Sequence, residues 1–249
     1  MSATTNEDQK RLATLKQDYG VKEVDQPREV LQDLRLDPGQ GLGSFVVSSW
    51  EFTPDAGVQY RLAQKSQNAL AAKATVRVYQ SHREALDDTL LKYGGGYMER
   101  SKRGHHHDKA DIGDFSLFTT RTLTFVRRNV RVDLVAADAG AQELVELASA
   151  MSGEIDRRAL LWGKKDIDAP NVKVAFERGP QTNEGYEVVV AVSVSNGVDH
   201  AWKVFSSEGQ VETGDKRAVV RIGQGKNRPD IRAVVTTRSG YVFEQRFSE

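Results

Sequence analysis

The side chains best suited to hold a metal or an anion gather in YMERSKRGHHHDKADIGD, Tyr97 to Asp114. Consecutive histidines on an extended loop alternate in direction, so at most two of the three can face one ion, and the candidate ligands are His105, His107 and Asp108. No other histidine is near in sequence, and ligating rings need a supporting set of partners to fix them. The balance therefore favours a solvated loop tip. Just upstream, Arg100, Lys102 and Arg103 make a basic patch that suits a phosphate, a sulfated or acidic glycan, or nucleic acid, with Tyr97 placed to stack on a sugar or a base. Arg127, Arg128 and Arg131 enlarge the patch if their hairpin lies beside this loop.

Other constellations are weaker. Asp87-Asp88 and the pair Asp166 and Asp168 are carboxylates of the kind acid–base chemistry uses, but the first falls on the outer side of a helix and the second in a linker, so both read as surface charge. Ser81 and His82 are neighbours at a helix start and cannot face each other. The run GQGLG, Gly39 to Gly43, lacks the lysine of a phosphate loop and leads into a strand. Trp50, Trp162 and Trp202 offer sugar platforms, with core packing the default for each. No catalytic residue is assigned and no cofactor is expected.

The elements that must position these groups are legible from period and punctuation. Leu123 and Phe125, then Val130, Val132 and Leu134 beyond a turn at Arg127 to Asn129, alternate as a β-hairpin with one buried face. Leu144, Leu147, Ala148, Met151 and Ile155 form the apolar stripe of a helix that covers it. Upstream, a helix with Thr5 as N-cap carries Leu12, Leu15 and Tyr19 and ends at Gly20, and a second, Pro27 to Leu34, presents Val30, Leu31 and Leu34. Strands are expected at Ser44–Phe52, Val58–Leu62 and Ala74–Gln80, with an Ala-rich piece, Gln67 to Lys73, before the last. Ser81 and Glu84 have capping-box spacing and predict a helix with Ala85, Leu86, Leu90 and Tyr93 inward, closed by Gly94-Gly95-Gly96. Residues 1–162 thus read as an α+β domain, an antiparallel sheet with helices on one face. A linker, 163–170, separates it from 171–249, where six alternating runs and turn dipeptides such as Asn196-Gly197 and Ser239-Gly240 argue a β-sandwich of about seven strands.

Bulk composition narrows the partners. The 249 residues leave room for two ordinary domains, and 35 basic against 35 acidic side chains set up no global field for nucleic acid or an anionic membrane. With no cysteine, disulfides, thiol nucleophiles and thiolate metal sites are ruled out. No run nears the roughly 18 apolar residues of a membrane-crossing helix. The first twenty residues are too polar for a secretory core, which leaves a cytoplasmic chain or one recorded after a signal was removed.

The C-terminal run from Val188 to Val194, followed by NGVDHAWKVFSSEGQVETG, RAVVRIG and IRAVVTTRSGYVFEQRF, resembles immunoglobulin-like sandwiches of the PKD type. Trp202, Gly209 and Gly240 are the matching positions, while SSEGQ stands where a turn rich in glycine and aspartate is usual. Through Ile112-Gly113-Asp114, Phe125 and the helix from Leu144 to Ile155, the first domain is similar to bacterial envelope domains of uncharacterised function. The resemblance implies an envelope-associated protein, periplasmic or extracellular, and brings no catalytic residues. The resulting expectation is a non-enzymatic binding or adhesion-type protein whose partner is an anionic glycan or another envelope protein, without nucleic acid and without a membrane span. Its alternative is a carbohydrate-active or metal-dependent hydrolase with its site in the N-terminal domain.

Overall fold

The computed structural model describes residues 6–21, 31, 34–53, 56–66, 69–96, 112–162, 170–195, 198–225 and 229–247, with side chains up to Ala159 in the long helix that ends at Trp162. The chain is mostly β, arranged in antiparallel sheets. The first sheet has seven strands, β1 (Gly41–Leu42), β2 (Phe45–Thr53), β3 (Gly57–Gln64), β4 (Leu70–Val78), β5 (Phe115–Phe118), β6 (Thr122–Arg127) and β7 (Val130–Ala136), in the order β1-β2-β3-β4-β7-β6-β5.

One face of this sheet is apolar because alternate residues of five strands are apolar. Val58, Tyr60 and Leu62 of β3, Ala74 and Val76 of β4, Val132 and Leu134 of β7, and Leu123 and Phe125 of β6 meet Leu144, Leu147, Met151 and Ile155 of a 22-residue helix, Ala141–Trp162. A bulge in β2 between Val47 and Ser49 lets Phe45 and Val47 share this face with Trp50 and Phe52, although their spacing changes parity.

The helices do not keep to one face. α1 (Asn6–Asp18), α2 (His82–Thr89) and the π-helical turn Leu90–Gly94 lie on the side opposite the long helix, hereafter α3. The reason is that β5 and β6 carry apolar residues on both faces: Val126 packs with Tyr79, Ala85 and Phe115, while Leu86 and Leu90 pack with Leu12 and Leu15. Ser81 caps α2 through its hydroxyl, which accepts from the Glu84 N–H at 3.2 Å, as its spacing predicts. The glycines after it do not stop the helical path, which widens at Leu90–Gly94 and continues to Gly96.

Two local expectations change. The Ala-rich piece is strand from Leu70 onward, and the Ala71 carbonyl accepts from the amides of Ala137, Asp138 and Ala139 at 2.9, 3.2 and 3.1 Å, an approach that a small side chain permits. Leu31 and Leu34 are core residues but not helical; Asn129 bonds both the N–H and the C=O of Leu31 at 2.7 Å, as a neighbouring strand would. The remainder of the predicted helix before Leu34 falls outside the described residues.

The remaining strands form a second unit of two antiparallel sheets. β8 (Val172–Arg178), β9 (Gly185–Val194), β11 (Gln210–Thr213) and β12 (Arg217–Gly223) form a sheet ordered β11-β12-β9-β8, and β10 (His200–Ser206), β13 (Ile231–Thr237) and β14 (Val242–Arg246) form one ordered β10-β13-β14. Between them lies a core of Tyr186, Val188, Val190, Val204, Ala218, Val220, Ile222, Ile231 and Ala233.

The hairpin joining β13 to β14 enters the first unit. Val78 pairs with Tyr241, its N–H donates to the Gly240 carbonyl at 2.9 Å, and Tyr241 belongs to the core of the seven-stranded sheet. Gly240 has φ +95°, and a Cβ there would sit 3.0 Å from a Val78 methyl, so glycine suits the hairpin tip on both counts. Arg238, 2% exposed, donates to Tyr60 Oη and to the Leu36 carbonyl at 2.6 Å each, with its guanidinium 4.0 Å from the Trp50 ring. Apart from Pro170, the expected linker 163–170 lies outside the described residues.

Candidate functional site

Over β2, β3, β4 and β7 the face of the seven-stranded sheet away from α3 carries mostly polar residues, and register decides what meets there. Arg77 of β4 opposes Arg131 of β7, Thr75 opposes Asp133, and across β3 Gln59 and Arg61 oppose Thr75 and Lys73. Glu51 of β2 extends the row and lies 4.0 Å from Arg61 in an exposed pair that contributes little. α2 and the π-helical turn cover the Arg131 end of this face. The Lys73, Gln59 and Arg61 end has no helix over it among the described residues, and Arg61 is exposed.

Beneath the helical cover, charge is buried. Arg131 is fully inaccessible, with Nη1 against the Asp88 carboxylate and Nε 3.1 Å from Asp133 Oδ2, near enough for attraction but out of line for a hydrogen bond. Its Nη2 has no hydrogen-bond partner among the described residues. The guanidinium carbon lies 5.8 Å from the Tyr79 ring centre and 5.7 Å from that of Tyr93, within cation–π range of both. Tyr79 Oη donates to Asp88 Oδ2 at 2.5 Å, and Thr124 Oγ1 donates to Asp133 Oδ1 at 3.0 Å. Arg77 stacks 4.9 Å from the Tyr79 ring and Lys92 5.1 Å from the Tyr93 ring. Among the described residues the buried Arg131 thus lies between two carboxylates, Asp88 and Asp133, with the half-buried Arg77 and the exposed Lys92 beside it.

Titration behaviour follows from that arrangement. Burial pushes the Tyr79 and Tyr93 phenols well above their ordinary range, outweighing the opposing pull of Arg131. For Asp88 burial acts upward, but Arg131 and Arg77 outweigh it and hold the carboxyl below its usual value. Burial, with Arg131 adding to it, lowers Lys92. Phenols forced up and a carboxyl forced down stay in one protonation state near neutrality, which suits holding charge rather than moving protons.

A second cluster sits at the β6–β7 turn. Arg128 has φ 55°, an uncommon value for a residue with a side chain, and three contacts fix it there. Its N–H donates to Asp114 Oδ2 at 2.6 Å, its Nε donates to Asp156 Oδ1 at 2.7 Å, and its carbonyl lies 2.7 Å from His82 Nδ1. Arg127 bridges Asp114 and Asp156 at the same turn. Two guanidinium groups meet two carboxylates, so this cluster is balanced and acts as a clamp holding Asp114 and α3 to the hairpin.

The structure divides the residues singled out in the sequence. Arg127 and Arg128 go to the clamp and Arg131 to the opposite face, so the three arginines do not form one exposed patch. Asp87 and Asp88 are half-buried rather than surface charge, because α2 turns them toward Lys16, 2.8 Å from Asp87, and toward Arg131. His82 is buried behind the turn. Trp50 lies under Arg238, and Trp202 packs on the core of the second unit with Nε1 donating to the Asp215 carbonyl at 3.0 Å. Tyr97, Arg100, Lys102, Arg103, His105, His107 and Asp108 lie outside the described residues, as do Asp166 and Asp168. Among the described residues, no three histidine or acidic side chains are grouped to hold a metal ion. No helix among them is long and apolar enough to cross a membrane.

The Arg131 cluster was missed in the sequence because an arginine at a strand's polar positions reads as solvent-facing. Its available signal was Arg77 and Arg131 falling at equivalent positions of two strands beside a helix bearing Asp88. Comparison of the chain with protein-family models, with curated proteins and with solved structures finds no match.

Proposed function

We propose that the protein is a non-enzymatic binding module of the bacterial envelope, periplasmic or extracellular, that takes an anionic ligand of the acidic-glycan kind on the polar face of its seven-stranded sheet. In this reading residues 1–162 form an α+β domain and residues 171–249 an immunoglobulin-like sandwich. Supporting the sandwich assignment, the seven strands β8 to β14 divide into sheets of four and three in the order such domains use. The observation that carries the binding reading is the fully buried guanidinium of Arg131, two of whose nitrogens have no hydrogen-bond partner among the described residues. A buried positive field there raises the affinity of the neighbouring open surface, Arg61 and Lys73, for anions. Lys92 and Tyr93 of the π-helical turn border the same face.

The test is a calorimetric titration with heparin-derived and uronic-acid oligosaccharides, with inorganic phosphate as comparator, at about 50 and 300 mM salt. Binding that weakens with salt and is lost in Arg61→Glu/Lys73→Glu supports the reading. Absence of binding at low salt, or binding untouched by that variant, overturns it. Replacing Arg100, Lys102 and Arg103 together by alanine reports whether the basic run beyond Gly96 shares the ligand.

A further inference from the structure

The sandwich has one long sheet edge whose sequence is complementary to itself. β8, VKVAFER, is the terminal strand of its sheet and pairs with β9 without interruption from Val172↔Val194 to Arg178↔Val188. It contains neither proline nor a bulge, two of the common guards of a seven-residue edge. Just beyond its ends, Gly179 N–H donates to the Glu187 carbonyl at 2.8 Å, and the Asn171 carbonyl accepts from the Ser195 N–H at 2.9 Å. The odd-numbered residues therefore direct their backbone groups to β9. The period of two leaves those of Val172, Val174, Phe176 and Arg178 directed outward.

We infer that β8 pairs two copies of this chain, edge to edge and antiparallel, about a two-fold axis at Ala175. This register satisfies the backbone parity: Val174 opposes Phe176 of the second copy, Val172 opposes Arg178, and these outward-facing groups exchange hydrogen bonds. The intervening positions, Ala175 with itself and Lys173 with Glu177, fall at the closely spaced pairs where side chains approach most. Lys173 and Glu177 thus form two symmetric ion pairs across the axis, and alanine at its centre leaves the strands room to close. Val174 and Phe176, half-buried against the sandwich core, extend that apolar face into the second copy. Glu177 and Ala175 also line a hollow of about 220 Å³ with Gly179, Val189, Ala191 and Arg217, which gives the Lys173 stem of the second copy a place to lie.

The other edges lack this property. β1, β5, β11 and β14 have two, four, four and five residues. β10 has seven, but antiparallel self-pairing about its centre would set Lys203 against Lys203.

Sedimentation velocity of the full chain over micromolar to near-millimolar concentration tests the pairing. A reversible dimer is expected, with Lys173→Glu and Glu177→Lys each weakening it roughly tenfold and the double reversal restoring it, because the swapped pair is again complementary. As the chain has no cysteine, Ala175→Cys gives a single thiol that should oxidise to a disulfide-linked dimer, whereas Thr213→Cys on the opposite edge should not. A monomer at every concentration, a dimer indifferent to the single reversals, or a double reversal that fails to restore association overturns the inference. None of these measurements depends on an anionic ligand, so the two proposals stand or fall separately.

Discussion

Replacing Arg238 by alanine should uncouple the two halves of the molecule. The side chain makes two hydrogen bonds of 2.6 Å, to Tyr60 Oη and the Leu36 carbonyl, and lies over Trp50 at 4.0 Å. Charged hydrogen bonds contribute about 1.5–3 kcal/mol each and a desolvated cation–π contact about 2, but the cost of burying the guanidinium offsets much of that sum. Asp37, 71% exposed and 3.7 Å away, adds little. Truncation reverses the balance only in part, because it deprives the Leu36 carbonyl of this donor and opens a cavity beneath Trp50. Tyr60 Oη still donates to the Leu34 carbonyl at 2.9 Å. The net loss should be about 3–5 kcal/mol, from the unpaired buried carbonyl and the cavity together. With a urea slope near 3 kcal/mol per molar for a chain of this size, the unfolding midpoint falls by about 1–2 M. Tryptophan fluorescence reads the change directly, since Trp50 is the residue uncovered. A wild-type transition that is single, and an Arg238→Ala transition that splits or loses slope, would show that the β13–β14 hairpin holds the units together. A loss below about 1 kcal/mol with unchanged slope, a midpoint shift under about 0.3 M, would refute the argument.

Two further outcomes follow from other parts of the fold. Phe125→Ala should cost about 3–5 kcal/mol, because Phe125 is fully buried opposite α3; a loss below about 1 kcal/mol in chemical denaturation would place it on the other face. Burial alone would raise the Asp156 carboxyl, yet hydrogen bonds from Arg127 and Arg128 outweigh it and depress the folded value, so its contribution is present above the ordinary carboxylate range near pH 4 and disappears as pH falls through the still lower folded value. Asp156→Asn should therefore lower Tm at neutral pH and flatten its fall in acid, and an acid limb identical to wild type would exclude this clamp as a contributor.

Much of the fold was readable where one period governed a segment. The β6–β7 hairpin, the stripe of α3, the cap at Ser81 and the run of strands after Asn171 depend on local alternation and capping, which sequence displays directly. Failures came where a long-range partner decided the outcome. Leu31 and Leu34 carry helix-like spacing, but Asn129, almost a hundred positions away, bonds Leu31 as a strand neighbour does. The Ala-rich piece Gln67 to Lys73 is assigned no element from its sequence, and the β7 register and the amides after it supply the bonding partners that make it strand from Leu70. In β2 a single extra residue changes which side chains are buried, and no propensity marks its place.

The two buried arginines show why the site was harder to read than the fold. Arg131 occupies a strand position that alternation assigns to solvent and Arg238 the turn after β13, and each is buried because a separate segment closes over it: α2 and the π-helical turn in one case, residues 34–37 with Trp50 and Tyr60 in the other. Their partners differ in a way that separates roles. Arg238 is bonded to neutral oxygens under an aromatic ring and joins two units, a mechanical task complete within the chain. Arg131 sits beside Arg77 and Lys92, with two of its nitrogens lacking a hydrogen bond among the described residues, between aromatic faces and the carboxylates of Asp88 and Asp133. Burying a guanidinium with two nitrogens that lack hydrogen bonds costs stability, so its retention is better explained by a negative charge received at the adjoining surface than by fold maintenance. The two variants separate these roles experimentally. Arg131→Met should weaken oligosaccharide binding out of proportion to any change in unfolding midpoint, and Arg238→Ala should do the reverse; a common loss of both in each variant would mean that the two arginines serve one structural purpose.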